Sequence, residues 1–180
     1  MSRPLPPSEL WLDQARSDLS AAEHLKSTAE LNCHTIAKCQ QAVEKAMKGL
    51  HTLLYEHGAV HTPCGRGHKP QRIVDELLLA PLTPGGLLNN ARLALRRHLD
   101  DGGIIALCNL APKWPPEGEP FSKNTEYPYQ VSVPSEGLQW RIPSAAAEFD
   151  STVVHRWLTV ASDVVRAVQR LKDSLPRLAS

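Results

Sequence analysis

The 180-residue chain has no apolar run long enough to span a bilayer, and its opening, MSRPLPPSEL, holds no apolar core of signal-peptide length. A dominant charge is missing too. Lys and Arg number 20 against 19 Asp and Glu, a net charge of +1, so there is no global electrostatic footprint for duplex DNA or an anionic membrane. Any nucleic-acid role must rest on a local patch. The four cysteines, Cys33, Cys39, Cys64 and Cys108, are scattered rather than paired into a framework, which predicts a reducing cytoplasm as the home. A Gly-rich phosphate loop, a dinucleotide fingerprint and internal repeats are all absent, so no cofactor is expected. What is present is the composition of a globular protein, 42% apolar and 22% charged. The length suits one domain over residues 1–180 with a core that needs neither disulfide nor metal.

Periodicity gives the fold class: all-α, an up-and-down bundle of about five helices. Residues 1–7 are Pro-rich and read as a loose lead-in. Ser8 suits an N-cap, and the stripe Trp11, Ala15, Leu19, Ala22 and Leu25 predicts a first helix to Thr28 or Ala29, with Asp13, Arg16, Asp18 and Glu23 off the stripe. Asn32 suits the cap of a second helix that runs to Glu56 and stops at Gly58. A loop rich in Gly, Pro and His leads to Pro70 and a short helix over Gln71–Leu79. A fourth helix spans Leu87–Leu99. Residues 100–143 carry too many Pro and Gly for continuous helix. Ile104–Leu107, Gln130–Val133 and Leu138–Ile142 are expected there as short extended pieces, with one hairpin among them. Phe149, Val153, Trp157, Val160, Val164, Val168 and Leu171 predict a closing helix from Ser144 to Leu171.

The densest polar pattern lies on the second helix, in CQQAVEKAMKGL (Cys39–Leu50). Gln40, Glu44 and Lys48 are four apart and share one face, with Glu before Lys in the favourable order. Spacing alone reads this as a solvated face of i,i+4 pairs. Gln41, Lys45 and Lys48 are the candidate ligand contacts on this helix, the lysines as mobile point charges for phosphate. Cys39 reads as a small buried residue on the apolar stripe. His57, His61, Cys64 and His68 fall within twelve residues and could close a zinc shell, or be ordinary polar loop residues. Trp114, Tyr127, Tyr129 and Trp140 could stack on a base or pin the irregular segment to the bundle.

The literal order of residues adds more. WLDQARSDLSAAEHL (Trp11–Leu25) and AKCQQAVEKAMKGLHTLLYEHG (Ala37–Gly58) resemble the two opening helices of the HEPN family of small prokaryotic helical domains. His68 with Ile73 and Leu77, and Tyr127-Pro128 before the last helix, resemble further family features. The resemblance implies a five-helix bundle that dimerises through helix faces. It also implies a nucleotide- or RNA-related role beside a nucleotidyltransferase partner, with no membrane involved and with His68 and Tyr127 joining the ligand-contact set. The ribonuclease branch of the family carries Arg and His separated by four to six residues. Arg92 and His98 enclose five, which makes them the catalytic pair of an alternative, metal-independent ribonuclease reading of toxin type. Leu93 follows Arg92 where that branch has a polar residue, and Glu126 stands where many members place Arg before Tyr-Pro. The spacing itself favours a basic solvent face made by Arg92, Arg96 and Arg97 over a catalytic pair. A third reading is a structural or zinc-stabilised interaction protein.

Overall fold

The structure is a computed structural model and describes residues 6–64, 70–79, 83–111 and 122–175. His68 and Trp114 lie outside them. Among the described residues six α-helices and one two-stranded sheet form an all-α bundle: α1 Ser8–Leu25, α2 Asn32–Glu56, α3 Gln71–Leu79, α4 Leu87–Asp100, α5 Gly103–Cys108, β1 Tyr129–Val133, β2 Gly137–Arg141 and α6 Ser151–Asp173.

α1 and α2 run antiparallel. Ser8, in the first turn of α1, donates its backbone N–H and its hydroxyl to Glu56 at the end of α2, at 3.1 and 2.6 Å. Ser8 is therefore a clamp between helices rather than the expected cap, a position taken by Pro7. Midway along, Gly49 faces Leu12 and Trp11; a Cβ there would lie 3.1 Å from Leu12 Cγ. α1 stops at Leu25, short of the Thr28 end the periodicity suggested, because Thr28 is extended (φ −113°, ψ 105°) and a 3-10 turn, Ala29–Leu31, feeds α2. Leu31, not Asn32, holds the N-cap position of α2. At its far end Gly58 takes φ +69°, and the Ala59 N–H returns to the Leu54 carbonyl at 2.8 Å. Glycine adopts this left-handed helix stop without strain.

α2 is the axis of the bundle. It packs on α1, α4, α5 and α6, so Ile36, Val43, Met47, Leu50 and Leu54 are all buried. Burial also reaches Gln40 and Glu44, 3% and 7% exposed. The expected solvated face of i,i+4 pairs exists as pairs but not as a solvated face, because neighbours cover the helix on nearly every side.

Two expectations fail in the Pro/Gly-rich segment. Ile104–Leu107 lies within α5 and is not extended. Gly102 enters the left-handed region (φ +66°) at the N-cap, the Asp101 carboxylate accepts the Gly103 N–H at 2.8 Å, and Ile104, Leu107 and Cys108 bury one helical face. The closing helix starts at Ser151 rather than Ser144. Pro143–Ala145 and Ala147–Phe149 form 3-10 turns separated by extended Ala146, and Asp150 caps α6 by accepting the Val153 N–H at 2.9 Å. The expected hairpin does form. Tyr129 pairs with Arg141, Val131 with Gln139 and Val133 with Gly137. Buried Tyr129 anchors it to the core.

Candidate functional site

The sequence places Asp18 at a spacing of three from Ala15 and four from Ala22, in the middle of the buried face of α1. A carboxylate there must be paired or lose its charge. Two lysines of α2 meet it: Lys38 Nζ donates to Oδ1 at 3.1 Å and Lys45 Nζ to Oδ2 at 2.8 Å. Lys38 Nζ also donates to Gln41 Oε1 at 2.9 Å. Burial raises the Asp18 pKa, but the hydrogen bonds and charges of Lys45 and Lys38 outweigh it and hold the carboxyl below its usual value. Two ammonium groups against one carboxylate leave one positive charge in excess. Its outer member, the Lys38 side chain, is 37% exposed. Such a cluster can receive an anion such as phosphate without first ordering its side chains.

A second network lies further along α2. Gln40 Nε2 and Lys48 Nζ donate to the Glu44 carboxylate at 3.2 and 2.8 Å, and the Lys48 ammonium stands 5.0 Å from the Trp11 ring centroid. With its side chain 12% exposed, Lys48 is tied inward. The structure thus brings Gln41 and Lys45 together, with Lys38 and Asp18, and separates Lys48 from them.

Arg92 and His98 lie on the uninterrupted helix α4, six positions and therefore about 120° apart in direction. His98 is buried and its Nε2 lies 3.3 Å from Asp163 Oδ2 on α6; its Nδ1 has no hydrogen-bond partner among the described residues. Arg96 and Arg97 are exposed, and Arg96 Nε donates to Asp100 at 3.3 Å.

Among the described residues no group of three or more His, Cys, Asp or Glu is placed to hold a metal ion. His57, His61 and Cys64 make no such group, and His68 is outside the described residues. The thiols of Cys39 and Cys108 are each pushed up to about 12, chiefly by burial, so neither serves as a nucleophile near neutral pH. His51 is buried, with Nε2 3.4 Å from Glu76 Oε2. Burial lowers its pKa despite the nearby carboxylate. Glu76 also accepts from Arg72 Nε at 3.1 Å, on the wall of an open cleft of about 890 Å³ beside Val60, Thr62 and Leu79. The aromatic residues divide. Tyr129 is fully buried, whereas Tyr127 and Trp140 are 42% and 62% exposed. The Tyr127 N–H is fixed by Asn124 Oδ1 at 2.7 Å.

Sequence reasoning missed Asp18, Lys38 and Asp163. Asp18, expected off the apolar stripe, lies instead on the buried face between Ala15 and Ala22; its spacing of three and four from those alanines was the signal. Asp163 carried none, since it meets His98 only through tertiary packing.

The HEPN domain family model matches residues 8–63, which span α1, α2 and the Asp18 cluster but not His98, Asp163 or the hairpin. Among curated proteins and solved structures, none matches the chain significantly.

Proposed function

On the premise that residues 8–63 are a HEPN domain, we propose that the chain is a binding module for a nucleotide or RNA, working as a homodimer beside a nucleotidyltransferase-type partner. The observation that carries this reading is the convergence of Lys38 and Lys45 on the single buried carboxylate of Asp18, with Gln41 alongside. The carboxylate fixes both ammonium groups in place, and the excess charge faces outward through Lys38. A phosphate added at its rim gains two charge-assisted contacts at little entropic cost. Gln41 supplies an amide that can pair with a base edge or ribose hydroxyl. Tyr127, exposed before β1, is a further stacking contact in this reading. Calorimetric titration with nucleoside triphosphates, short single-stranded RNA and a purified nucleotidyltransferase of the partner class tests it. Absence of heat with all three sinks it.

One observation favours a second reading, a metal-independent ribonuclease. A His–carboxylate dyad, His98 with Asp163, is the arrangement that orients an imidazole for proton transfer. Arg92 would supply phosphate charge from the other subunit of a dimer, since it points away from His98 within one chain. RNA cleavage by wild type, lost in His98→Ala with the fold intact, supports it; equal cleavage by the two proteins removes it.

A further inference from the structure

Paired residues in an antiparallel ladder share a face, and successive residues alternate. The hairpin register therefore puts Tyr129, Val131, Gln139 and Arg141 on one side. Leu138 and Trp140 stand on the other, and Ile142, still extended (φ −103°, ψ 125°), continues that row. Tyr129 turns the first side toward the core. Leu138, Trp140 and Ile142 are 71%, 62% and 60% exposed. They form an apolar row on an edge strand, since among the described residues β2 pairs only with β1. Natural edge strands are shielded by charge, proline or a cover; among the described residues this row has none of these along it.

We propose that this face is covered by a second copy of the chain, with β2 pairing antiparallel to β2 of the second copy about a two-fold axis at Trp140. The strand is self-complementary in that register alone. Trp140 then faces its own counterpart, Leu138 faces Ile142 of the second copy, and Gln139 faces Arg141 of the second copy. Moving the axis to Arg141 stacks the two guanidinium groups on each other. Moving it to Gln139 sets Glu136 opposite Ile142 and breaks the apolar row. An RNA strand is a poorer occupant, because a stacking platform needs cations along the same face to track phosphates, and Leu138 and Ile142 flank Trp140 instead.

Area sets the strength. Full burial of a Trp covers up to about 250 Å², so the exposed part of Trp140 is roughly 150 Å² and the whole row on the order of 400 Å². That lies in the range of functional surface patches and is about half of the ~800 Å² per partner in a standard interface. Strand pairing adds main-chain hydrogen bonds, giving a dimer that dissociates at micromolar concentration. The contact differs from dimerisation through helix faces and does not rest on any ligand reading.

Sedimentation velocity of the full chain from 5 to 200 μM (about sixfold either side of the expected midpoint) reads the proposal. Wild type doubles its low-concentration mass across that range, from monomer to dimer or from helix-face dimer to tetramer. Trp140→Lys, whose side chain is exposed in the monomer and leaves the thermal melt unchanged, weakens the dissociation constant on the order of 100-fold. Gln139→Lys keeps its contact with Glu136 in the monomer but sets Lys opposite Arg141 of the second copy twice, and weakens dimerisation about 5-fold or more. A wild type whose mass does not double by the highest concentration overturns the proposal. So does a doubling that Trp140→Lys leaves intact. If Trp140→Lys dissociates the dimer while Gln139→Lys does not, the β2–β2 register is wrong. RNA binding lost in Trp140→Lys with no change in mass assigns the face to RNA instead.

Discussion

Replacing Asp18 with Asn removes the charge that two lysines share while keeping the side chain's shape. Removing one partner of a fully buried ion pair costs roughly 3–5 kcal/mol. Here the loss is smaller, because Lys45 and Lys38 have side chains 22% and 37% exposed and can swing toward water once released. The expected destabilisation of Asp18→Asn is about 1–2 kcal/mol by urea denaturation at pH 7. Lys45→Met costs about 1 kcal/mol, since Asp18 keeps Lys38. The double variant costs less than the sum by on the order of 1 kcal/mol, the coupling of a direct pair. The pH dependence follows from the sign of the shift. The folded pKa of Asp18 lies below its unfolded value, so its contribution is complete above about pH 4 and fades as the pH falls through the lowered folded value. Additive single and double variants, or an Asp18→Asn deficit unchanged down to pH 2.5 (roughly 1.4 units below the unfolded pKa), would refute the reasoning.

Burial lowers the pKa of His51 in the folded state. The unfolded chain then binds the proton first, and stability falls as the pH drops below about 6.5. Thermal melts at pH 7.5, 6.5 and 5.5 (bracketing the reference value of about 6.5) should show this loss, and His51→Gln should flatten it. Gly49→Ala adds a Cβ 3.1 Å from Leu12 Cγ and 3.3 Å from Trp11 Cβ. The gain in helix propensity, about 1 kcal/mol, is outweighed by overpacking of about 1–3 kcal/mol, so the variant melts lower than wild type; a higher melting temperature means that α1 yields more easily than its packing implies. Cys39 and Cys108, buried and with thiols near 12, should resist alkylation at pH 8 in the native protein and react fully in urea.

The helices α2, α3 and α4 were legible nearly to the residue because local chemistry marks them. Gly58 supplies the left-handed stop, Pro70 opens α3 and glycines precede α4. The hairpin was legible through its alternation of apolar residues around Pro134 and Gly137. Reading failed where a short segment had two local options. Ile104–Leu107 is equally good as strand or helix, and Gly102 with the Asp101 side chain decides for helix. The run after Pro143 has a helical period, but Ala146 and Asp150 turn extended and delay α6 to Ser151. The candidate site was half legible. Gln41 and Lys45 stand out on α2, whereas pairing Lys38 and Lys45 with one carboxylate required the register of α1 against α2, which an up-and-down topology does not set. Burial of Gln40 and Glu44 was hidden for a similar reason: amphipathic period shows which face is apolar, not how many neighbours surround a helix.

The central claim is that the Asp18 cluster offers a preformed anion site. Fluorescence anisotropy of a labelled single-stranded RNA, titrated at two salt concentrations with wild type and with the double variant Lys38→Met, Lys45→Met, tests it most directly. Wild type should bind with an affinity that falls as salt rises, and the variant should lose on the order of 10-fold or more along with about two units of the salt slope. Equal affinity and equal salt slope for the two proteins would contradict the account.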